Sequence, residues 1–174
     1  MRKTLLPALL LTALLPAGAQ SLELPPGTPA IPNAAVPLQG LLSGGQPTPE
    51  HLAEAARAGY RTVINLRDPS EPGFAWEAEK VKALGMDYVS LPVAGAASLT
   101  RETVERFDAV LDAALAEGPV LVHCSSGNRN GALLALRGAW LGGLDAEAAI
   151  ALGKAAGLTR LEPAVRALLT PPPK

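Results

Sequence analysis

The residues best suited to chemistry in this sequence lie together in the segment HCSSGNRN, from His123 to Asn130. The chain's only cysteine, Cys124, follows an apolar run that begins at Val120. This pattern predicts a buried strand, a tight loop that carries the thiol, and a helix that begins at Asn130. Such a loop directs backbone N–H groups and the positive end of a helix dipole at one place, where an anion can bind. The same field favours the thiolate, which is the nucleophilic form of cysteine.

If the anion is a phosphate ester, each residue of this loop has a chemical role. Cys124 is predicted to attack phosphorus, and Arg129 to hold two phosphate oxygens with its planar guanidinium. Gly127 permits a backbone angle or a close approach that a side chain would block. We expect His123 to orient the loop backbone and Asn130 to donate to the sulfur. The predicted substrate-binding residues are His123, Ser125, Ser126, Gly127, Asn128 and Asn130.

Taken singly, these residue types also have ordinary structural roles. A histidine at the end of a buried strand is commonly structural, and an arginine at the start of a helix is commonly solvated. An asparagine there can cap the helix, and a lone cysteine is often an inert core residue. It is the combination His-Cys-x-x-Gly-x-Arg after an apolar strand that indicates an anion site.

The rest of the chain alternates between predicted strands and helices. This alternation predicts an α/β fold in three αβα layers, with a mainly parallel sheet of four or five strands. Because the functional loops of such sheets lie at the carboxyl ends of the strands, residues 67–73, residues 94–98 and the Cys124 loop should share one rim. The predicted strands are 38–42, 61–66, 86–93 and 120–123, and the predicted helices are 49–58, 74–84, 101–117, 130–141, 146–157 and 162–169.

The start of the chain indicates export. Arg2 and Lys3 precede an apolar stretch at 5–15, and residues 17–19 have the small-x-small form of a cleavage site. The expected location is therefore periplasmic or extracellular, with no membrane span after signal cleavage. The predicted domain plan is a signal peptide at 1–19, a proline-rich linker at 20–37, an α/β domain at 38–170 and a tail at 171–174.

Composition narrows the range of partners. The 174 residues include 15 basic and 16 acidic side chains, a balance that does not suggest binding to nucleic acid or to an anionic membrane surface. A single cysteine cannot form an internal disulfide. His51 has no partner at metal-ligand spacing, so neither a metal nor a cofactor is predicted. The sequence leaves the oligomeric state open.

The loop and its surroundings resemble known proteins. HCSSGNRNGA is similar to the phosphate-binding loop of cysteine-dependent protein tyrosine and dual-specificity phosphatases. Residues 40–157, with SGGQPTPEHLAEAARAGYRTVINLRDPSE and MDYVSLPV in matching order, resemble the beta-lactamase hydrolase-like family, a bacterial phosphatase-like group. The resemblance implies a phosphatase-like fold, a cysteinyl-phosphate on Cys124, a phosphate clamp at Arg129, and a phosphorylated small molecule or protein as substrate. It also makes Asn130 the counterpart of the hydroxyl residue that follows the arginine.

Two features depart from the pattern of those phosphatases. Four residues separate Cys124 from Arg129, where the main type has five, and residues 94–98 contain no general-acid aspartate. Without an acid, a poor leaving group departs more slowly, by about 10²- to 10⁴-fold. Asp68 is the predicted substitute, and Glu71 in the same loop is a second candidate.

Three functions follow from these observations. The preferred one is an exported hydrolase that cleaves phosphate monoesters through Cys124. The shorter loop also resembles that of rhodanese-type sulfurtransferases, whose cysteine carries a persulfide and which need no general acid. A non-catalytic module that keeps only the oxyanion cradle is the third.

Overall fold

The centre of the molecule is a sheet of five short strands in the order β1-β2-β5-β3-β4. The computed structural model describes residues 26–170. β1 runs antiparallel to β2, and the other neighbouring pairs are parallel, which confirms the predicted sheet. The strands are β1 (Ala35–Leu38), β2 (Leu41–Gly44), β3 (Thr62–Asn65), β4 (Asp87–Ser90) and β5 (Val120–His123).

Helices cover both faces of this sheet. Because successive side chains of a strand point to opposite faces, β2, β3 and β5 divide their apolar residues between two clusters. Leu41, Ile64 and Val122 pack on the side of α3 to α6, whereas the neighbouring residues of the same strands pack on the side of α1 and α2. The helices are α1 (Pro49–Arg57), α2 (Glu77–Ala83), α3 (Arg101–Glu117), α4 (Asn128–Trp140), α5 (Ala146–Ala155) and α6 (Glu162–Leu169).

The local signals for three helix starts are confirmed. Thr48, Thr100 and Asp145 have extended backbones and accept hydrogen bonds from backbone N–H groups three residues later, so they are N-caps. α2 begins at Glu77, three residues after the predicted start, because residues 74–76 form turns.

The sheet begins earlier than the sequence predicts. β1 starts at Ala35, inside the segment 20–37 that was predicted to be a linker. The segment 38–42, predicted to be a single strand, instead contains the end of β1, a turn and the start of β2. Pro37 argued against a strand, but β1 is at the sheet edge, where a missing N–H donor is tolerated. Ile31 is also buried against the sheet, so ordered packing extends into the predicted linker.

α4 also begins earlier than predicted. Its first residue is Asn128 rather than Asn130, because Gly127 takes up a left-handed backbone conformation (φ 88°) and turns the chain directly into the helix. Farther along, α4 approaches α5 so closely that a Cβ on Gly131 would lie 2.5 Å from the carbonyl oxygen of Gly153 and 2.2 Å from the backbone nitrogen of Leu158. The segment after α5 is therefore held close to the Cys124 loop.

The predicted signal peptide at 1–19 and the predicted tail at 171–174 lie outside the described residues. From residue 26 to residue 170, none of the helices has the length and apolar character needed to cross a bilayer. Over the same range, His, Cys, Asp and Glu side chains form no group of three that could hold a metal ion.

Candidate functional site

Three loops and one helix connection meet at the carboxyl ends of the parallel strands. Asn65 of β3 lies in register with Ser90 of β4 and with His123 of β5, so the segments that follow these three strands start at the same level. They surround a cleft of about 650 Å³. The predicted rim is thus brought together, and Arg160 and Leu161 add a side that the sequence did not predict. The cleft is lined by Asp68, Ser70, Glu71, Ala94, Gly95, Cys124, Ser125, Ser126, Asn128, Arg129, Arg160 and Leu161.

Cys124 lies on the floor of this cleft, beside the N-terminus of α4. Its Sγ accepts a hydrogen bond from the N–H of Gly127 at 3.1 Å, and the residue is 1% exposed. No side chain caps α4. Among the described residues, the backbone N–H groups of Ser125, Ser126, Asn128 and Arg129 have no protein acceptor. These donors form the anion-binding helix start that the sequence predicted around the thiol.

Arg129 reaches the same place, but most of its donors already have acceptors. Nη1 donates to Glu71 Oε1 at 2.6 Å and to the carbonyl of Val93 at 3.0 Å. Nη2 donates to Glu71 Oε2 at 2.9 Å and to Ser125 Oγ at 2.6 Å. A guanidinium has five N–H donors, so Nε is left, together with the Nη2 donor that faces the exposed Ser125 hydroxyl. The edge formed by Nε and Nη2 is therefore the edge that can take an oxyanion.

Glu71 is the acceptor on which this part of the site converges. Besides Arg129, it accepts hydrogen bonds from Arg67 Nε (3.2 Å), Ser125 Oγ (2.8 Å) and the backbone N–H of Asp68 (2.8 Å). The hydrogen bonds from Arg129, more than any other contact, hold the pKa of Glu71 well below its ordinary value, and Glu71 in turn raises the pKa of Arg129. Glu71 is consequently ionised at neutral pH, which disfavours the general-acid role considered for it.

Asp68 lines the cleft, as predicted, but its environment does not suit a proton donor. Its Oδ1 accepts hydrogen bonds from the side chain of Ser70 at 2.6 Å and from the backbone of Ser70 at 2.9 Å. These bonds lower the pKa of Asp68. A general acid works best with a pKa raised towards the working pH, and here the shift has the opposite sign.

Asn130 does not bind in the cleft, and its predicted contact with the sulfur is wrong. The side chain is fully buried, and Nδ2 donates to Ser43 Oγ (3.0 Å), the Gly44 carbonyl (3.0 Å) and the Val122 carbonyl (3.1 Å). As the third residue of α4 rather than the first, Asn130 points back at the sheet. Its role is to fasten the start of α4 to β2 and β5.

The side chain of Asn128 likewise serves the scaffold. Its Oδ1 accepts hydrogen bonds from the backbone N–H groups of Thr159 (2.9 Å) and Leu161 (3.2 Å) and from Thr159 Oγ1 (3.1 Å). The amide oxygen of Asn128 is therefore taken by the scaffold, which leaves Nδ2 and the backbone N–H for the predicted substrate contact. Ser126 is fixed in a similar way, since its carbonyl accepts from Asn33 Nδ2 at 3.1 Å. Ser125, Ser126 and Asn128 all line the cleft.

His123 is buried beneath the loop and does not line the cleft, so its assignment as a substrate-binding residue is wrong. Its Nδ1 lies 3.4 Å from the Cys124 carbonyl, a contact that fits the predicted orienting role. Its Nε2 lies 2.5 Å from Oε1 of Glu77, and both side chains are fully buried. The other oxygen of Glu77 accepts from Gln46 Nε2 (3.0 Å) and Asn65 Nδ2 (3.2 Å). This network ties the loop to β3 and α2.

Sequence reasoning did not identify Glu77 and Arg67. Glu77 lies one turn before the buried Val81 on α2, so it is an acid on the apolar face of a short helix. That position is the sequence feature that could have indicated a buried, hydrogen-bonded carboxylate. Arg67, which is 5% exposed, donates to the Pro72 carbonyl at 2.6 Å, to Gln46 Oε1 and to Glu71. It therefore holds the loop at 67–73 in the shape that presents Glu71 to Arg129.

The sequence also matches known proteins. Residues 39–140 match the family model for the beta-lactamase hydrolase-like protein, phosphatase-like domain. A beta-lactamase hydrolase-like protein of Xylella fastidiosa (strain 9a5c) is 37% identical over 121 residues, which is 67% of this chain and 27% of that protein. The chain thus spans about a quarter of the length of that curated relative.

Two solved structures share the fold. A DUF442 protein of Shewanella putrefaciens CN-32 is 29% identical with a TM-score of 0.62, and the match covers 80% of this chain and 88% of that one. TpbA of P. aeruginosa, solved as a cysteine-to-serine variant in complex with pTyr, is 22% identical with a TM-score of 0.64 and coverage of 88% and 90%.

Proposed function

Because the chain belongs to the beta-lactamase hydrolase-like, phosphatase-like family, we propose that it hydrolyses phosphate monoesters through Cys124 and Arg129 after export from the cytoplasm. The observation that carries this proposal is the arrangement at the start of α4. Cys124 Sγ, the unpaired N–H groups of the loop and the guanidinium of Arg129 all face one cleft. A tetrahedral oxyanion ester is the chemistry that uses all three.

The proposed reaction has two displacements at phosphorus. In the first, the Cys124 thiolate forms an S–P bond while the P–O bond to the leaving group breaks, and the leaving oxygen keeps the electron pair. In the second, water forms a new P–O bond, the S–P bond breaks, and the thiolate is restored as inorganic phosphate leaves. The N–H groups of the loop hold the equatorial oxygens in both steps, and the proton lost by the water matches the one taken up by the leaving group.

Arg129 contributes through its Nε and Nη2 edge. An oxyanion that displaces Ser125 Oγ from Nη2 gains two parallel N–H donors without breaking the ion pair with Glu71. Ser125 is exposed, so its hydroxyl can turn to solvent at small cost. Glu71 then fixes the orientation of the arginine and does not have to leave.

The preferred type of leaving group can be inferred from the acids near the site, because none of them suits a proton donor. Asp68 and Glu71 both have lowered pKa values, and residues 94–98 carry no acid. We therefore expect aryl phosphates, whose phenolate leaves without a proton, to react much faster than alkyl phosphates, by about 10²-fold or more.

Hydrolysis of phenyl phosphate tests the proposal. We expect steady release of phosphate, loss of turnover in Cys124→Ser, and a mass gain of one phosphoryl group on Cys124 in protein quenched with acid. Failure of the wild-type protein to release phosphate, or undiminished release by Cys124→Ser, would overturn it.

Export is tested separately: when the full chain is expressed in a Gram-negative host, the protein recovered from the periplasm should begin at Gln20.

A non-catalytic oxyanion-binding module is the second candidate, favoured by the engagement of both terminal nitrogens of Arg129 with Glu71. It predicts that vanadate raises the melting temperature, that Arg129→Ala abolishes this shift, and that no phosphate is released. The four-residue spacing from Cys124 to Arg129 keeps sulfur transfer as a third outcome. That outcome would appear as thiocyanate formed from thiosulfate and cyanide.

A further inference from the structure

The cleft extends well beyond the phosphate position at Cys124. Its volume of about 650 Å³ is in the range of sites that enclose a whole small molecule rather than one oxyanion. Its sides differ in charge: Asp68 and Glu71 lie on the β3–α2 loop, Ala94 and Gly95 carry no charge, and Arg160 lies on the α5–α6 connection. The leaving part of a substrate must therefore pass between sides of different charge.

Arg160 is a cation without an internal partner. Among residues 26–170, no hydrogen bond or ion pair involves its side chain, although one acid, Glu162, lies close to it in the sequence. Glu162, two residues later, accepts from Arg166 at 2.9 Å and pairs with Lys154 at 3.0 Å. The nearby acid is thus taken by other cations, and the guanidinium of Arg160 is exposed at the cleft.

The backbone that carries Arg160 is fixed relative to Cys124. Asn128 Oδ1 accepts hydrogen bonds from the residues on either side, Thr159 and Leu161, and Asn128 is itself the first residue of α4. Leu158, just before this connection, is 3% exposed and packs in the main core. Asn128 therefore fixes the backbone position of Arg160 relative to the Cys124 loop. This limits the positions that the guanidinium of Arg160 can reach.

On the basis of the proposed function, we propose that Arg160 binds a second anionic group on the leaving part of the substrate. The substrate class is then a phosphate monoester that also carries a carboxylate or a second phosphate. Arg160 acts as a specificity residue: it does not touch the phosphorus that reacts, and it adds affinity for one class of ester over its uncharged analogue. Its contribution resembles that of a partly exposed ion pair, which amounts to about a five-fold change in binding.

Binding to the Cys124→Ser variant tests this independently of turnover. Calorimetry would compare phenyl phosphate with 3-carboxyphenyl phosphate, 4-carboxyphenyl phosphate and benzene-1,4-diyl bisphosphate, so that both anion types and two distances are sampled. In this background Arg160→Ala should weaken at least one doubly anionic probe about five-fold and phenyl phosphate less than two-fold. Arg160→Lys should recover part of the loss. Comparing the carboxylates with the bisphosphate then tells which anion is preferred.

Arg106→Ala is the matched control, because Arg106 is an exposed arginine of α3 that does not line the cleft. An equal loss for all probes with Arg160→Ala, no loss for any of them, or the same loss with Arg106→Ala would overturn the assignment. Failure of all four probes to bind would do so too. If the probes bind with this selectivity but the wild-type protein releases no phosphate, the proposed hydrolysis fails while the role of Arg160 is retained.

Discussion

Replacing Glu71 with glutamine tests the central ion pair of the site with almost no change in shape. The carboxylate receives two hydrogen bonds from Arg129, one from Arg67, one from Ser125 and one from a backbone N–H. A glutamine keeps one acceptor oxygen but turns an N–H₂ group towards donors that need an acceptor. Arg129 would keep its bonds to Val93 and Ser125, so it should shift rather than leave the site.

The expected loss can be scaled from the contacts. Hydrogen bonds to charged groups contribute about 1.5–3 kcal/mol each when buried. The Glu71 side chain is 24% exposed and its hydrogen bonds are not additive, so we expect the substitution to cost about 2 kcal/mol in total. Glu71→Gln should therefore lower kcat/KM for phenyl phosphate about 30-fold. The loss should appear mainly in kcat, because a displaced guanidinium no longer fits the transition state.

The same variant makes a prediction about stability against pH. Since the folded-state pKa of Glu71 lies below its ordinary value of 4.5, the ionised carboxylate stabilises the fold above that pH, and this stabilisation is lost as the pH falls further. The difference in unfolding free energy between wild type and Glu71→Gln should be about 2 kcal/mol and constant from pH 8 to about pH 5, and should shrink below pH 4.5. Urea unfolding at several pH values measures it.

Glu79→Gln is the control, since Glu79 is an exposed acid on α2 that does not line the cleft. It should change neither kcat/KM nor the pH dependence of unfolding. A Glu71→Gln enzyme with unchanged or higher kcat and a lower KM would refute the reasoning. That result would mean that Glu71 competes with substrate for Arg129 instead of orienting it.

Three further substitutions address the rest of the site. Asp68→Asn should change kcat for phenyl phosphate by less than about five-fold, since an ionised Asp68 donates no proton; a loss of 10²-fold or more would make it the general acid. Asn130→Ala should lower the free energy of unfolding by about 2 kcal/mol in urea, because it removes the donor to Ser43, Gly44 and Val122, and a loss below about 0.5 kcal/mol would contradict its anchoring role. Gly131→Ala should cost about 3 kcal/mol, since its Cβ would lie 2.2 Å from the nitrogen of Leu158; an unchanged melting temperature would show that α4 and α5 separate freely.

The parts of the structure that were predictable from the sequence are those with local signals. Thr48, Thr100 and Asp145 are residue types that cap helices, and each accepts a hydrogen bond from the backbone N–H three residues later. The apolar run at 120–122 likewise predicts a central strand. The Cys124 loop could be predicted for the same reason, since its thiol, its glycine and its arginine lie within six consecutive residues.

The contacts that were missed join residues far apart in the chain. Glu71 and Arg129 are 58 residues apart, and Glu77 and His123 are 46 apart, so neither pair leaves a periodic pattern. The direction of Asn130 was missed for a different reason. With α4 beginning two residues earlier, the side chain is turned by about 200° around the helix axis and faces the sheet instead of the sulfur.

The way in which Asn128 grips the α5–α6 connection has a consequence for changing substrate preference. Two of its three contacts there go to backbone N–H groups, and none goes to the side chain at position 160. Changes of side-chain size or charge at that position should therefore leave undisturbed the helix start that holds the thiol. Substitutions of Arg160 by residues other than proline should yield folded proteins, so substrate preference can be changed at position 160 while the chemistry is kept.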